Sequence, residues 1–82
     1  MILPTKGIST QRALVTIGAQ VLETLSSPRT VNSTYERLQQ LRLNRGLREP
    51  VSFDWFSLSL AMLYTLSVVQ LSDGGLLTKV RQ

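Results

Sequence analysis

The side chains that most often do covalent or acid–base work are scarce in this chain. His and Cys are both absent from its 82 residues, which removes a His general base, a Cys nucleophile, disulfides, thiolate or His-based zinc sites and iron–sulfur ligation. Ser and Thr are plentiful. Without His, however, they cannot join a nucleophile–base–orienter set, and no motif supports pairing one of them with Lys6 or Lys79. The five acids, Glu23, Glu36, Glu49, Asp54 and Asp73, give no paired-carboxylate spacing on one element. Gly7, Gly18, Gly46, Gly74 and Gly75 fall into neither a P-loop nor a GxGxxG pattern, so no loop is built to cradle phosphate. The expectation is a protein that is not an enzyme and carries no metal or other cofactor.

What remains is charge and apolar surface. Seven Arg and two Lys against five acids leave a net charge of +4, and Arg37, Arg42, Arg45 and Arg48 fall close together. That cluster has two readings: non-specific contact with nucleic-acid phosphates, or a solvated helix face that pairs with an acidic partner. The 43% hydrophobic and 17% charged fractions describe a foldable chain that is apolar for its size. At this length there is room for one domain, residues 1–82. It buries only about 60% of the extended-chain surface, so a partner is the expected source of extra stability.

The elements that would position these residues are punctuated clearly. A first helix opens at Ser9 or Thr10 and carries Ala13, Leu14, Ile17, Gly18, Val21, Leu22 and Leu25 at three- and four-residue spacing, ending at Ser26-Ser27-Pro28. Gly18 lies on its apolar side and lets a neighbouring helix approach closely. The second helix is predicted to start with a capping box, Ser33 to Glu36, to bury Tyr35, Leu38 and Leu41, and to stop at Gly46. Ser52 caps a third helix over about Phe53 to Ser67, with Asp54 in its first turn. Val68 to Leu71, the turn Ser72-Asp73-Gly74-Gly75, and Leu76 to Val80 make a β-hairpin signal, beside which Arg29-Thr30-Val31 can pair. The predicted fold is therefore mainly α with a small β-hairpin, in the order of a winged helix-turn-helix; a plain three-helix bundle is the alternative.

The third helix is unusual for a recognition helix. Asp54, Ser57, Ala61 and Thr65 form one narrow small-and-polar stripe, and the apolar arc around the rest is roughly twice the 100° that a single core requires. No Lys or Arg occurs between Glu49 and Thr78, so charge argues against reading a DNA major groove through this helix. Six polar residues interrupt Phe53 to Leu71, which argues against a membrane span, and the opening Met1-Ile2-Leu3-Pro4-Thr5-Lys6 is no secretory signal. A cytoplasmic location is expected.

Several blocks resemble a known family. The opening Met1 to Lys6, the run Arg12-Ala13-Leu14-Val15-Thr16-Ile17-Gly18-Ala19, the pair Thr30-Val31, the block Phe53-Asp54-Trp55-Phe56 with Leu60, Leu63 and Tyr64, and the closing Val69 to Gly74 with Leu77 are similar to the small middle component, class six, of bacterial ABC-three component systems. The resemblance covers almost the whole chain and is most specific at the N-terminus and at the Phe53–Phe56 block. It implies a winged-helix subunit that links an ABC ATPase like those of structural maintenance of chromosomes (SMC-like) to an effector. The setting it implies is a hetero-oligomer acting in defence against phage and plasmids, similar to Lamassu systems. The apolar surface, rather than the resemblance, points to an interface on the third helix and the N-terminal segment: Ile2, Leu3, Trp55, Phe56, Leu58, Met62 and Leu66, with Trp55, Phe56 and Met62 as the expected anchors. Arg37, Arg42, Arg45 and Arg48 then supply contacts to phosphate or to an acidic partner, and DNA is met only indirectly or non-specifically.

Overall fold

The spacing of Ala13, Leu14, Ile17, Gly18 and Val21 produces the expected helix. In a computed structural model of the protein, which describes residues 10–80, helix α1 spans Thr10–Thr24 and turns Ile17, Gly18 and Val21 inward. The chain then forms strand β1 (Arg29–Thr30), helix α2 (Val31–Asn44), helix α3 (Phe53–Thr65), strand β2 (Val69–Leu71) and strand β3 (Leu76–Lys79). The strands make one antiparallel sheet in the order β1-β3-β2, with Arg29 opposite Leu77 and Leu71 opposite Leu77 on the other side. Three helices with this small sheet are compatible with a winged helix-like fold, and the sheet sets aside the plain bundle.

Helix α2 begins earlier than its capping box predicts. Thr30, not Ser33, is the N-cap, and its hydroxyl accepts the Ser33 N–H at 3.1 Å. The reason lies in the strand. Pairing with Leu76 holds Thr30 extended, at φ −66° and ψ 162°, which is the geometry an N-cap residue needs. Ser33 is thereby carried into the first turn.

The two later helices end alike. At the end of α2, Leu47 N–H donates to Arg42 C=O and Gly46 N–H to Leu43 C=O; at the end of α3, Val68 N–H donates to Leu63 C=O and Ser67 N–H to Tyr64 C=O. Both are Schellman closures with a left-handed residue between. Gly46 takes that position at φ 80°, but after α3 it is Ser67, at φ 62°. A left-handed L-residue costs roughly 1–2 kcal/mol, while glycine adds roughly 0.5–1 kcal/mol of unfolded-chain entropy. Ser67→Gly is therefore expected to stabilise the protein by about 0.5–1 kcal/mol, read as a higher urea midpoint at unchanged slope. A lower midpoint would show that Ser67 is not strained.

The core collects on α3. Ile17 and Val21 from α1, Leu25 just past its end, Leu38 from α2, Val51, and Val69 and Leu77 from the sheet surround Trp55, Phe56 and Leu63. Helices α1 and α3 meet where Gly18 has no side chain: a Cβ there would stand 2.9 Å from Met62 Cε and 3.3 Å from Leu63 Cδ2. The close approach expected of Gly18 is present. No helix among the described residues is long and apolar enough to cross a membrane.

Candidate interaction surface

Helix α3 turns its apolar arc to the core and its small-and-polar stripe, flanked by Leu58 and Tyr64, to solvent. Trp55, Phe56, Ser59 and Leu63 face inward, and at about 100° per residue they occupy one arc. The opposite arc runs through Tyr64, Ser57, Ala61, Asp54, Thr65 and Leu58, all exposed. Of the residues expected as interface anchors, Phe56 is 0% and Trp55 9% exposed, so both pack into the core of the folded chain and little of either faces solvent. Met62 is half-buried over Gly18. Leu58 and Leu66 remain on the surface, Leu66 at 62% exposure. Ile2 and Leu3 lie outside the described residues.

Beside the outward arc of α3 a groove of about 440 Å³ opens between the helix and the sheet. Phe56, Val69 and Leu77 form its floor, Ser57, Ala61 and Tyr64 its helical wall, and Leu71 of β2 its far wall. Tyr64 (63% exposed) and Leu71 (54%) are its outermost apolar groups. Neither was singled out from the sequence as an interface residue. The available signal was Tyr64 adjoining the small stripe Ser57-Ala61-Thr65, since small residues bordered by a large aromatic outline a groove rather than a ridge.

The four arginines do not form one basic face. Arg45 Nη2 and Nη1 donate to Glu23 Oε1 and Oε2 at 2.5 and 2.9 Å, a two-pronged pair tying α2 to α1. Arg42 Nη1 donates to Gln20 Oε1 at 2.9 Å, leaving its buried Nε without a hydrogen bond. Arg37 lines the same α1–α2 crevice as Glu23 and Arg45. Arg48, past the stop at Gly46, lines a separate hollow with Leu43, Leu47 and Pro50.

The hydrogen bonds from Arg45 hold the Glu23 carboxyl below its usual range, and the same contact raises Arg45. A lowered folded-state acid contributes stability above its unfolded pKa and loses it as pH falls through the folded value. The midpoint difference between wild type and Glu23→Gln is therefore expected to be present at neutral pH and to shrink toward zero in acid. A difference that does not vary with pH would show that the pair adds nothing. Because both partners are exposed, the effect is small.

Among the described residues no group of acids could hold a metal ion. The domain is small and mainly helical, compatible with a winged helix-like fold, and carries an uncharged apolar groove between α3 and the sheet. The chain matches the model of the ABC-three component (ABC-3C) system Middle Component 6 family over residues 3–80, and it belongs to that family. It is thus the middle component of a multi-component ABC system, a position that implies partner subunits. No curated protein and no solved structure matches it.

Proposed function

We propose that this middle component is a non-catalytic adaptor that bridges an SMC-like ABC ATPase and an effector subunit, in a cytoplasmic, Lamassu-like complex directed against phage and plasmids. The observation that carries the reading is the outward face of α3: an apolar groove with Tyr64 and Leu71 on its rim, in a stretch free of Lys and Arg from Glu49 to Thr78. Such a surface suits burial against protein and repels a phosphate backbone. Phosphate contact through the arginines draws no support from their geometry, since Arg42 and Arg45 are engaged with Gln20 and Glu23.

Ala61 sits on the groove wall and is exposed, so Ala61→Arg is tolerated in the free chain but obstructs an occupant. Co-expressed with the other subunits of its system, the variant is expected to retain its melting temperature and to lose partner affinity by about thirtyfold, the cost of disrupting a central contact of roughly 2 kcal/mol. Undiminished co-purification would falsify the assignment of the groove as the docking site.

A further inference from the structure

The groove's shape and the charges around it restrict what can fill it. This step rests on the docking role proposed above and concerns the chemistry of the occupant. The helical wall from Ser57 to Thr65 covers nine residues, a rise of about 12 Å of helix. Three apolar side chains on a second helix, at i, i+4 and i+7, span about 10 Å, which matches that length. An extended strand over the same distance offers only about two inward side chains. Strand addition at the sheet edge is also restricted: β2 is an edge strand, but Val69 is 2% exposed, leaving Leu71 as its accessible inner-face residue. Ser57 and Ala61 are small, and their stripe lets another helix come close.

Charge supplies the second restriction. From Ser52 to Thr78 the charged residues are Asp54 and Asp73, both exposed and, among the described residues, neither in an ion pair. Asp54 continues the Ser57-Ala61-Thr65 stripe one turn toward the start of α3, and Asp73 follows Leu71 at the hairpin tip. The nearest bases along the chain are Arg48, six residues before Asp54, and Lys79, six after Asp73, and Lys79 pairs with Val69 at the other end of the hairpin from Asp73. Two unpaired acids beside an uncharged groove complement a cationic partner and oppose an acidic one. We infer that the groove receives an amphipathic helix of a partner subunit, seated by three apolar side chains and carrying Lys or Arg on the flanks that meet Asp54 and Asp73.

The test uses the full chain co-expressed with the other subunits of its system, with the photo-crosslinker p-benzoylphenylalanine in place of Tyr64. The cross-linked peptide is expected to come from a partner subunit and to show the i, i+4, i+7 apolar spacing with basic residues on either side. In parallel, the double variant Asp54→Asn, Asp73→Lys is expected to bind that partner about tenfold more weakly at low salt and to lose most of the salt dependence of binding, with unchanged circular dichroism. A cross-link to a second copy of this chain, to DNA, or to a partner segment that is acidic or lacks the spacing overturns the inference, as does charge reversal that leaves affinity unchanged or raises it. In the case of a wrong partner segment the docking role survives. If no partner cross-links and Ala61→Arg also binds normally, the docking role itself fails.

Discussion

Replacing Phe56 by alanine is expected to destabilise the protein by about 3–5 kcal/mol, the range for removing a fully buried aromatic ring. Phe56 is 0% exposed, and its ring lies 5.0 Å from that of Tyr35 and 5.6 Å from that of Phe53 in a three-ring cluster joining α2 to α3. Truncation leaves a void where the two helices and the sheet converge. Domains this small sit near the low end of a net stability of about 5–15 kcal/mol, so the variant is expected to be partly unfolded at room temperature. Urea denaturation gives the value directly, and a loss below about 1.5 kcal/mol would mean the cluster closes over the gap. Phe56→Ala also loses its partners, but through unfolding. Ala61→Arg loses them while folded, and comparing the melting curves separates a core residue from a docking residue on the same helix.

The second large effect is expected at Gln39, in a stretch that carries no recognisable motif. Its side-chain amide closes on the backbone of Val51, donating from Nε2 to the C=O at 2.6 Å and accepting the N–H on Oε1 at 3.0 Å. The Tyr35 hydroxyl donates to the same C=O at 2.7 Å. One side chain thus acts as a strand would, holding the segment after Gly46 so that Ser52 can cap α3 through the Trp55 N–H. Gln39→Leu keeps the approximate volume but leaves the Val51 N–H without an acceptor, and a loss of about 2–3 kcal/mol is expected. Tyr35→Phe should cost about 1 kcal/mol, because the C=O keeps its Gln39 bond. Amide exchange reports the site itself: Val51 N–H should exchange much faster in the Gln39 variant, and an unchanged rate would show that the clamp is not what protects it.

These two residues also show what the sequence makes legible. The helices, the hairpin, the pairing of Arg29-Thr30 beside it and the close approach at Gly18 follow from spacing, turn residues and a missing side chain, all local signals. The Gln39–Val51 clamp joins residues twelve apart across a loop, and no local pattern marks a glutamine whose partner is a backbone that distant. The burial of Trp55 and Phe56 is hidden from the sequence for a related reason. Projection shows which residues of α3 share a side, but its apolar arc was wide enough for either side to be core, and only the positions of α1 and the sheet decide that Trp55 and Phe56 turn inward. The arginines were grouped by proximity along the chain. Helical spacing sends Arg42 and Arg45 toward α1, and the break at Gly46 puts Arg48 elsewhere.

The left-handed residue after α3 has a further consequence. The two walls of the groove, α3 and β2, are consecutive in the chain and joined through Leu66, Ser67 and Val68, while pairing with β3 and the buried Val69 hold β2 from within the fold. With Val68 N–H bonded to Leu63 C=O and Ser67 N–H to Tyr64 C=O, Ser67 acts as a fixed elbow, and a few degrees of rotation there become ångströms at Leu71. The gauge of the groove is thus shared between the β2–β3 pairing and a left-handed serine that need touch no partner, and a substitution that relaxes the elbow trades stability gained against a mouth less firmly held open.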